Sequence, residues 1–278
     1  MFFNMNRMAE NRSVLYLKHI VLGVIAVASV AVQGVKPASA EEIDCSMCHP
    51  DLAKKKVVHA AVSMGCPTCH TSLNAAEVPH KVTGNVPKGL SSAVPDLCFT
   101  CHDKTKFNNK TVHPPVAGGM CTSCHNPHSA DNAKLLMAEV PALCTNCHDK
   151  AMFSKKNVHA PVAGGMCLGC HGPHATDEMA LLTKRPTAVC LECHPDVPKK
   201  AHVTVEFKHP LGSTASPADK SPDKKPAKKE RGVLMDPARP GKEFYCGSCH
   251  DPHSSEGNRL IRFPVKSYFD LCINCHKK

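Results

Sequence analysis

All eighteen cysteines of this 278-residue chain fall in one pattern, CxxCH, repeated nine times with none left over. The motifs are Cys45/Cys48/His49, Cys66/Cys69/His70, Cys98/Cys101/His102, Cys121/Cys124/His125, Cys144/Cys147/His148, Cys167/Cys170/His171, Cys190/Cys193/His194, Cys246/Cys249/His250 and Cys272/Cys275/His276. Two thiols three residues apart lie on one side of a helical turn. That places them to form thioethers with the two vinyl groups of one porphyrin, and the next residue offers its imidazole to the iron. Zinc sites use Cys and His pairs but need no histidine directly after the second cysteine. A disulfide framework suits an exported chain, yet it also leaves that histidine unexplained. The reading is nine haem c groups, each with its iron.

The remaining histidines extend this reading. The chain has 19. Nine are proximal ligands, and His19 lies in the N-terminal segment. The other nine are His59, His80, His113, His128, His159, His174, His202, His209 and His253, as many as the irons. They are the candidate distal ligands for bis-histidine coordination throughout. His113 and His159 sit in near-identical contexts, VHPPVAGGMC and VHAPVAGGMC, and His128, His174 and His253 end CHNPH, CHGPH and CHDPH. Three residues beyond a proximal histidine is too close to reach round the same porphyrin, so each of these three is expected to serve a different haem. His80, His202 and His209 lie outside the tight pattern. Met120 and Met166 directly precede a haem cysteine and are read as packing on porphyrin faces.

Residues 1–40 read as a secretory signal: a basic segment with Arg7, Arg12 and Lys18, an apolar run over 20–32, and Ala38-Ser39-Ala40 before Glu41. The apolar run is short for a membrane span, so none is expected after cleavage. Bacteria attach c haems outside the cytoplasm, which makes the periplasm the expected location. The formal charge of +10 raises nucleic acid or an anionic membrane as partners. Haem propionates offset that charge, and with no Trp and three Tyr there is no aromatic interleaving of the single-strand-binding kind. Residues 41–278 leave about 26 residues for each haem, too few for an ordinary core around each one. The porphyrins must be the core. The expected fold is haem-cored, with mostly short helices and loops, an elongated repeat architecture and little or no sheet.

Internal repeats set the organisation. Cys98, Cys144 and Cys190 are 46 residues apart, as are Cys121 and Cys167. One unit runs CxxCH, VHxPVAGGM, CxxCHxPH, a Leu-Leu segment, and a proline shortly before the next motif. Units 98–143 and 144–189 are near copies. Residues 45–97 form a divergent copy in which His80 stands in for the missing downstream PH. Residues 190–271 form an expanded copy, and 272–278 a half unit. The insertion 213–243 is rich in Pro and Lys and reads as a flexible surface loop. Gly118-Gly119 and Gly164-Gly165 are read as letting backbone approach a macrocycle closely.

Taken together, "CTSCHNPHSADNAKLLMAEVPALCTNCH" resembles the multihaem c cytochromes with doubled CxxCH motifs. Within that group the chain is similar to periplasmic decahaem cytochromes that thread an outer-membrane porin. The resemblance implies electron transfer from an inner-membrane quinol-linked cytochrome toward an outer-membrane porin, an outer-surface cytochrome or another extracellular acceptor. The chain departs from that group by having nine motifs and a basic insertion. The other function classes are a multihaem nitrite, hydroxylamine or sulfur oxyanion reductase with one open haem, and a subunit of an extracellular cytochrome filament. A reductase often carries a variant motif such as CxxCK, and none is present. No catalytic residue is expected.

Overall fold

Each CxxCH closes one turn of helix. In all nine motifs the backbone N–H of the histidine donates to the carbonyl of the first cysteine, at 2.8–3.1 Å. The computed structural model behind this description covers residues 43–197 and 235–276. The expected signal segment, most of the basic insertion, His202 and His209 lie outside the described residues. Those described all belong to the unit Ile43–Lys278.

Helices are short. The motif turns are single 3-10 turns at Cys45–Met47, Cys66–Thr68, Cys121–Ser123 and Cys167–Gly169. Where a proline stands a few residues upstream, the turn extends backward into Val140–Thr145 and Pro186–Cys193. Pro141 and Pro186 occupy the first turn, where a missing N–H costs nothing. Among the described residues no helix is long and apolar enough to cross a membrane.

Sheet is limited to eight two-residue strands: β1 Val57–Val58, β2 Leu73–Asn74, β3 Lys81–Val82, β4 Thr111–Val112, β5 Ser129–Ala130, β6 Asn157–Val158, β7 Ala175–Thr176 and β8 Ser254–Ser255. They form four antiparallel pairs. β2–β3 is local. The other three, β1–β5, β4–β7 and β6–β8, each join the segment before VHxPV in one unit to the segment after CHxPH in the next. The pairing continues one step further, as the N–H groups of His59, His113 and His159 donate to the carbonyls of His128, His174 and His253. Neighbouring units are thereby stitched at the histidines themselves.

After the strand, His59, His113 and His159 cap the turns Ala60–Met64, Pro114–Ala117 and Ala160–Ala163. Gly119 and Gly165 follow at φ +68° and +71°. A Cβ at these positions would lie 2.7 Å from Pro95 Cδ and 2.5 Å from Pro141 Cγ. The close approach the glycines permit is therefore to the proline ahead of the previous CxxCH. The apolar core is minimal: among the described residues only Ala130, Val189 and Phe244 are buried hydrophobics. Met120 and Met166 are 54% and 61% exposed. Side chains alone could not repay the entropy of ordering such a chain, which agrees with a fold built around cofactors.

Candidate haem-binding sites

Four motifs carry a second clamp on their histidine. After the Cys66, Cys121, Cys167 and Cys246 motifs the chain loops out and returns. On return, the N–H groups of Ser91, Met137, Thr183 and Arg262 donate to the carbonyls of Cys69, Cys124, Cys170 and Cys249. At the bend sit Lys88, Lys134, Ala180 and Arg259, at φ between +53° and +62°, each followed by another residue in the left-handed region. Left-handed backbone costs a non-glycine residue roughly 1–2 kcal/mol. The strain turns the carbonyls of Lys88, Lys134, Ala180 and Arg259 toward Nδ1 of His70, His125, His171 and His250, at 2.8–2.9 Å. Nδ1–H then donates to a carbonyl, and Nε2 keeps the lone pair that a metal needs.

The distal candidates meet these rings. His80 lies against His49, His128 against His70, His59 against His102, His174 against His125, His113 against His148, His253 against His171 and His159 against His194. The centroid separations run only from 5.9 to 6.2 Å. An imidazole nitrogen sits about 2 Å from a first-row metal and its ring centre about 1 Å further back, so two rings on opposite sides of one iron have centroids about 6 Å apart. The residues fit haem on this measure. Alternatives fit less well. Among the described residues no three Cys, His or acidic side chains gather as a zinc site requires, and all eighteen thiols are free of disulfides.

Ligand exchange across unit boundaries follows from the strand pairing. His59 lies in the first unit and faces a motif of the second; His128 lies in the second and faces a motif of the first. Pro127, beside His128, accepts the Nδ1–H of His59 at 2.9 Å, and Pro173 and Pro252 do the same for His113 and His159 at 3.0 Å. One His-Pro dipeptide thus touches two haem sites. In the first unit there is no preceding partner, and His80 turns instead to His49 of its own unit, its Nδ1 donating to the Glu77 carbonyl at 2.7 Å. In each of the seven pairs one ring is held by a carbonyl: the distal ring for first motifs, the proximal ring for second motifs. Burial lowers the pKa of His128, His174 and His253, and the facing imidazoles add to this. The neutral ring is the form that ligates metal.

The thiols give the order of the sites. Burial pushes the Cys45 thiol up, and a hydrogen bond with Cys66 adds to it. Cys98 is raised by burial and by the thiols of Cys121 and Cys69. Cys124 is raised by burial and by Cys147, and Cys144 by burial, Cys167 and Cys124. Cys170 is raised by burial, Cys190 and Cys193. Cys190 is raised by its hydrogen bond with Cys246 and then by burial. Cys249 is raised by burial and then chiefly by Cys275. As thioethers these sulfurs no longer titrate, and what persists is adjacency. Every motif neighbours the next one in sequence.

One correction to the sequence reading concerns the cysteines themselves. A haem-cored fold treats all eighteen as core residues, but the structure divides them. Cys48, Cys66, Cys101, Cys147, Cys193 and Cys272 are exposed, and the others are half-buried. Cys48 and Cys101 depart furthest from the expectation. Their partners Cys45 and Cys98 pack toward the next motif through Cys66 and Cys121, whereas Cys48 and Cys101 close the turn on its solvent side. Their N–H groups donate to the carbonyls of Cys45 and Cys98 at 3.2 Å, and the Cys101 sulfur accepts from the adjacent Thr100 hydroxyl at 3.8 Å. The physical reason is the shortness of the turn. One sulfur of each pair can reach a neighbouring motif, and the other is left to the attached group. Exposure leaves the attachment chemistry of Cys48 and Cys101 resting on the CxxCH spacing and not on protein contacts.

Beside the eighth motif lies a polar cluster with no counterpart in the other described units. The Asp236 carboxylate is fully buried and bonds Arg239, whose guanidinium also donates to Ser248 Oγ and lies over Tyr245. Sequence reading missed it, since Asp, Arg and Tyr ahead of a haem turn carry no spacing signal. The carbonyl acceptors were missed for the same reason: they belong to Lys, Ala, Arg and Pro.

Residues 59–107, 113–153, 159–199 and 237–278 match the Doubled CXXCH motif family. The chain belongs to that family. It is a multihaem c-type cytochrome that binds several haem c groups through its doubled motifs. The matched segments begin at His59, His113 and His159, the histidines that open each strand exchange, and they take in every motif of the cytochrome except Cys45–His49. Among the curated proteins searched, none matches the cytochrome.

Proposed function

We propose that the cytochrome is an electron carrier in which nine bis-histidine haems form one relay in chain order. The observation that carries this is the set of seven facing imidazole pairs, each joining one CxxCH histidine to one other histidine at the spacing of a shared iron. Two irons, those of His250 and His276, and two histidines, His202 and His209, remain, and by count they belong together. When bound, haem supplies a one-electron couple. The chain's own residues hold each iron six-coordinate in both states, so little rearranges as an electron passes. Two histidines per iron also favour low potentials relative to Met/His haems. Motif adjacency supports transfer from each haem to the next in sequence, with no open iron for substrate and hence no catalytic role.

Export to the periplasm is part of this reading, supported by the chemistry of haem attachment. The route from an inner-membrane quinol-linked cytochrome to an outer-membrane or extracellular acceptor, with a porin among the partners, rests on resemblance. Carbon monoxide added to the reduced full-length holoprotein tests the ligation. The expected result is an unchanged spectrum. Binding by a substantial share of the haem would overturn the relay of closed irons and favour a reductase.

A further inference from the structure

Six of the seven facing imidazole pairs are close to parallel, with interplanar angles from 10° to 30°. His49 and His80 differ, at 57°. The cause is local. The other distal rings are set by strand exchange with a neighbouring unit. His80 is carried by the β2–β3 hairpin and anchored through Nδ1 to Glu77, three residues back. This site is also at one end of the order, since the described neighbour of its motif is the Cys66 motif.

Ring orientation has an electronic consequence. Parallel imidazoles donate π density into the same iron d orbital and split the pair. Crossed rings donate into both and leave them nearly degenerate. Near-degeneracy produces a strongly anisotropic low-spin ferric signal. It also removes part of the stabilisation that parallel rings give the ferric state, which raises the potential. Axial ligation and its hydrogen bonds are the protein's levers on haem potential.

We propose that the Cys45/Cys48 haem is the high-potential terminus of the relay, the site where electrons collect and from which they leave. This rests on the bis-histidine reading above. In the last internal step one electron leaves the Cys66/Cys69 haem, which becomes ferric, and reduces the Cys45/Cys48 haem, which becomes ferrous. A one-electron acceptor protein then takes that electron and returns the terminal haem to the ferric state.

Electron paramagnetic resonance of the full-length oxidised holoprotein, poised at a series of potentials, tests this. The expected result is a strongly anisotropic low-spin signal integrating to about one haem in nine, disappearing before the rhombic signals as the potential is lowered. His80→Met should abolish that signal and leave the rhombic ones. Three results would overturn the inference: no such signal in the wild-type protein, its persistence in His80→Met, or its reduction after the other haems. A high-spin signal with carbon monoxide binding in the wild-type protein would instead overturn the bis-histidine reading, and this inference with it.

Discussion

Replacing His128 by alanine should open one iron, and the geometry specifies which. His128 follows the Cys121/Cys124 motif by three residues, yet its ring lies 6.1 Å from His70, while His125 faces His174 at 5.9 Å. The opened haem is therefore the one attached to Cys66 and Cys69, in the preceding unit. With nine motifs, about one-ninth of the reduced haem should bind carbon monoxide, as one iron loses one of its two axial ligands. Location is settled by repeating the substitution in two backgrounds that each lack one haem. Without Cys66 and Cys69, His128→Ala has no iron left to open, and carbon monoxide should bind no more than in that background alone. Without Cys121 and Cys124, the same substitution should still open one haem of the remaining eight. Binding gained in the first background, or lost in the second, would refute the exchange of ligands between units.

His59→Ala should open the Cys98/Cys101 haem in the same way, and added imidazole should close it again, read as loss of carbon monoxide binding; failure of imidazole to compete would remove His59 from the ligand set. Lys134→Gly relieves a left-handed residue while keeping the carbonyl that His125 needs, so the holoprotein should gain about 1 kcal/mol in a denaturant melt. Lys134→Pro cannot adopt φ +58° and should shift the potential of the Cys121/Cys124 haem; equal effects of the two substitutions would argue against the strained carbonyl as a positioning device. Burial alone would raise the Asp236 carboxyl, but hydrogen bonds from Ser248, Arg239 and the Ala238 N–H outweigh it and hold the group below the usual carboxylate range. A lowered folded pKa gives stability that is complete above the unfolded value, about 3.9, and is lost as pH falls through the folded one. Asp236→Ala should thus cost about 3 kcal/mol at neutral pH, and thermal melts of variant and wild type should converge at strongly acid pH; a constant gap across pH would contradict this account.

Much of the site was legible because covalent chemistry leaves fixed spacings. Haem attachment requires two thiols and a histidine in five residues, and the VHxPV and CHxPH contexts mark histidines the local fold must place. The sparse secondary structure was legible too, since about 26 residues per motif leave no room for long elements. Other features carry no side-chain code. β1–β8 are two residues long, too short for a period of two to register. The left-handed turns at Lys134-Leu135, Ala180-Leu181 and Arg259-Leu260 use residues that disfavour that conformation, so no glycine announces them. Gly119 and Gly165 are the converse case, glycines visible in sequence whose close neighbour proved to be a proline. The exposure of Cys48 and Cys101 was equally hidden, because identical motifs differ only in what packs beside them. Which ring faces which motif depends on pairing between units, and that is a long-range property.

Strand exchange also imposes a timetable on assembly. A chain that leaves a membrane N-terminus first delivers His49 and His80 together, so its first iron can close at once. The Cys66/Cys69 haem waits for His128, the Cys121/Cys124 haem for His174, and the Cys167/Cys170 haem for His253. Completion runs down the chain like a zip, each tooth seated by the unit behind it, and the longest pause spans the basic insertion. A chain stalled part-way carries an iron with one ligand at its growing end, open to peroxide and to small anions. Quality control needs no dedicated signal under this arrangement, because the unfinished boundary is itself the chemically conspicuous one.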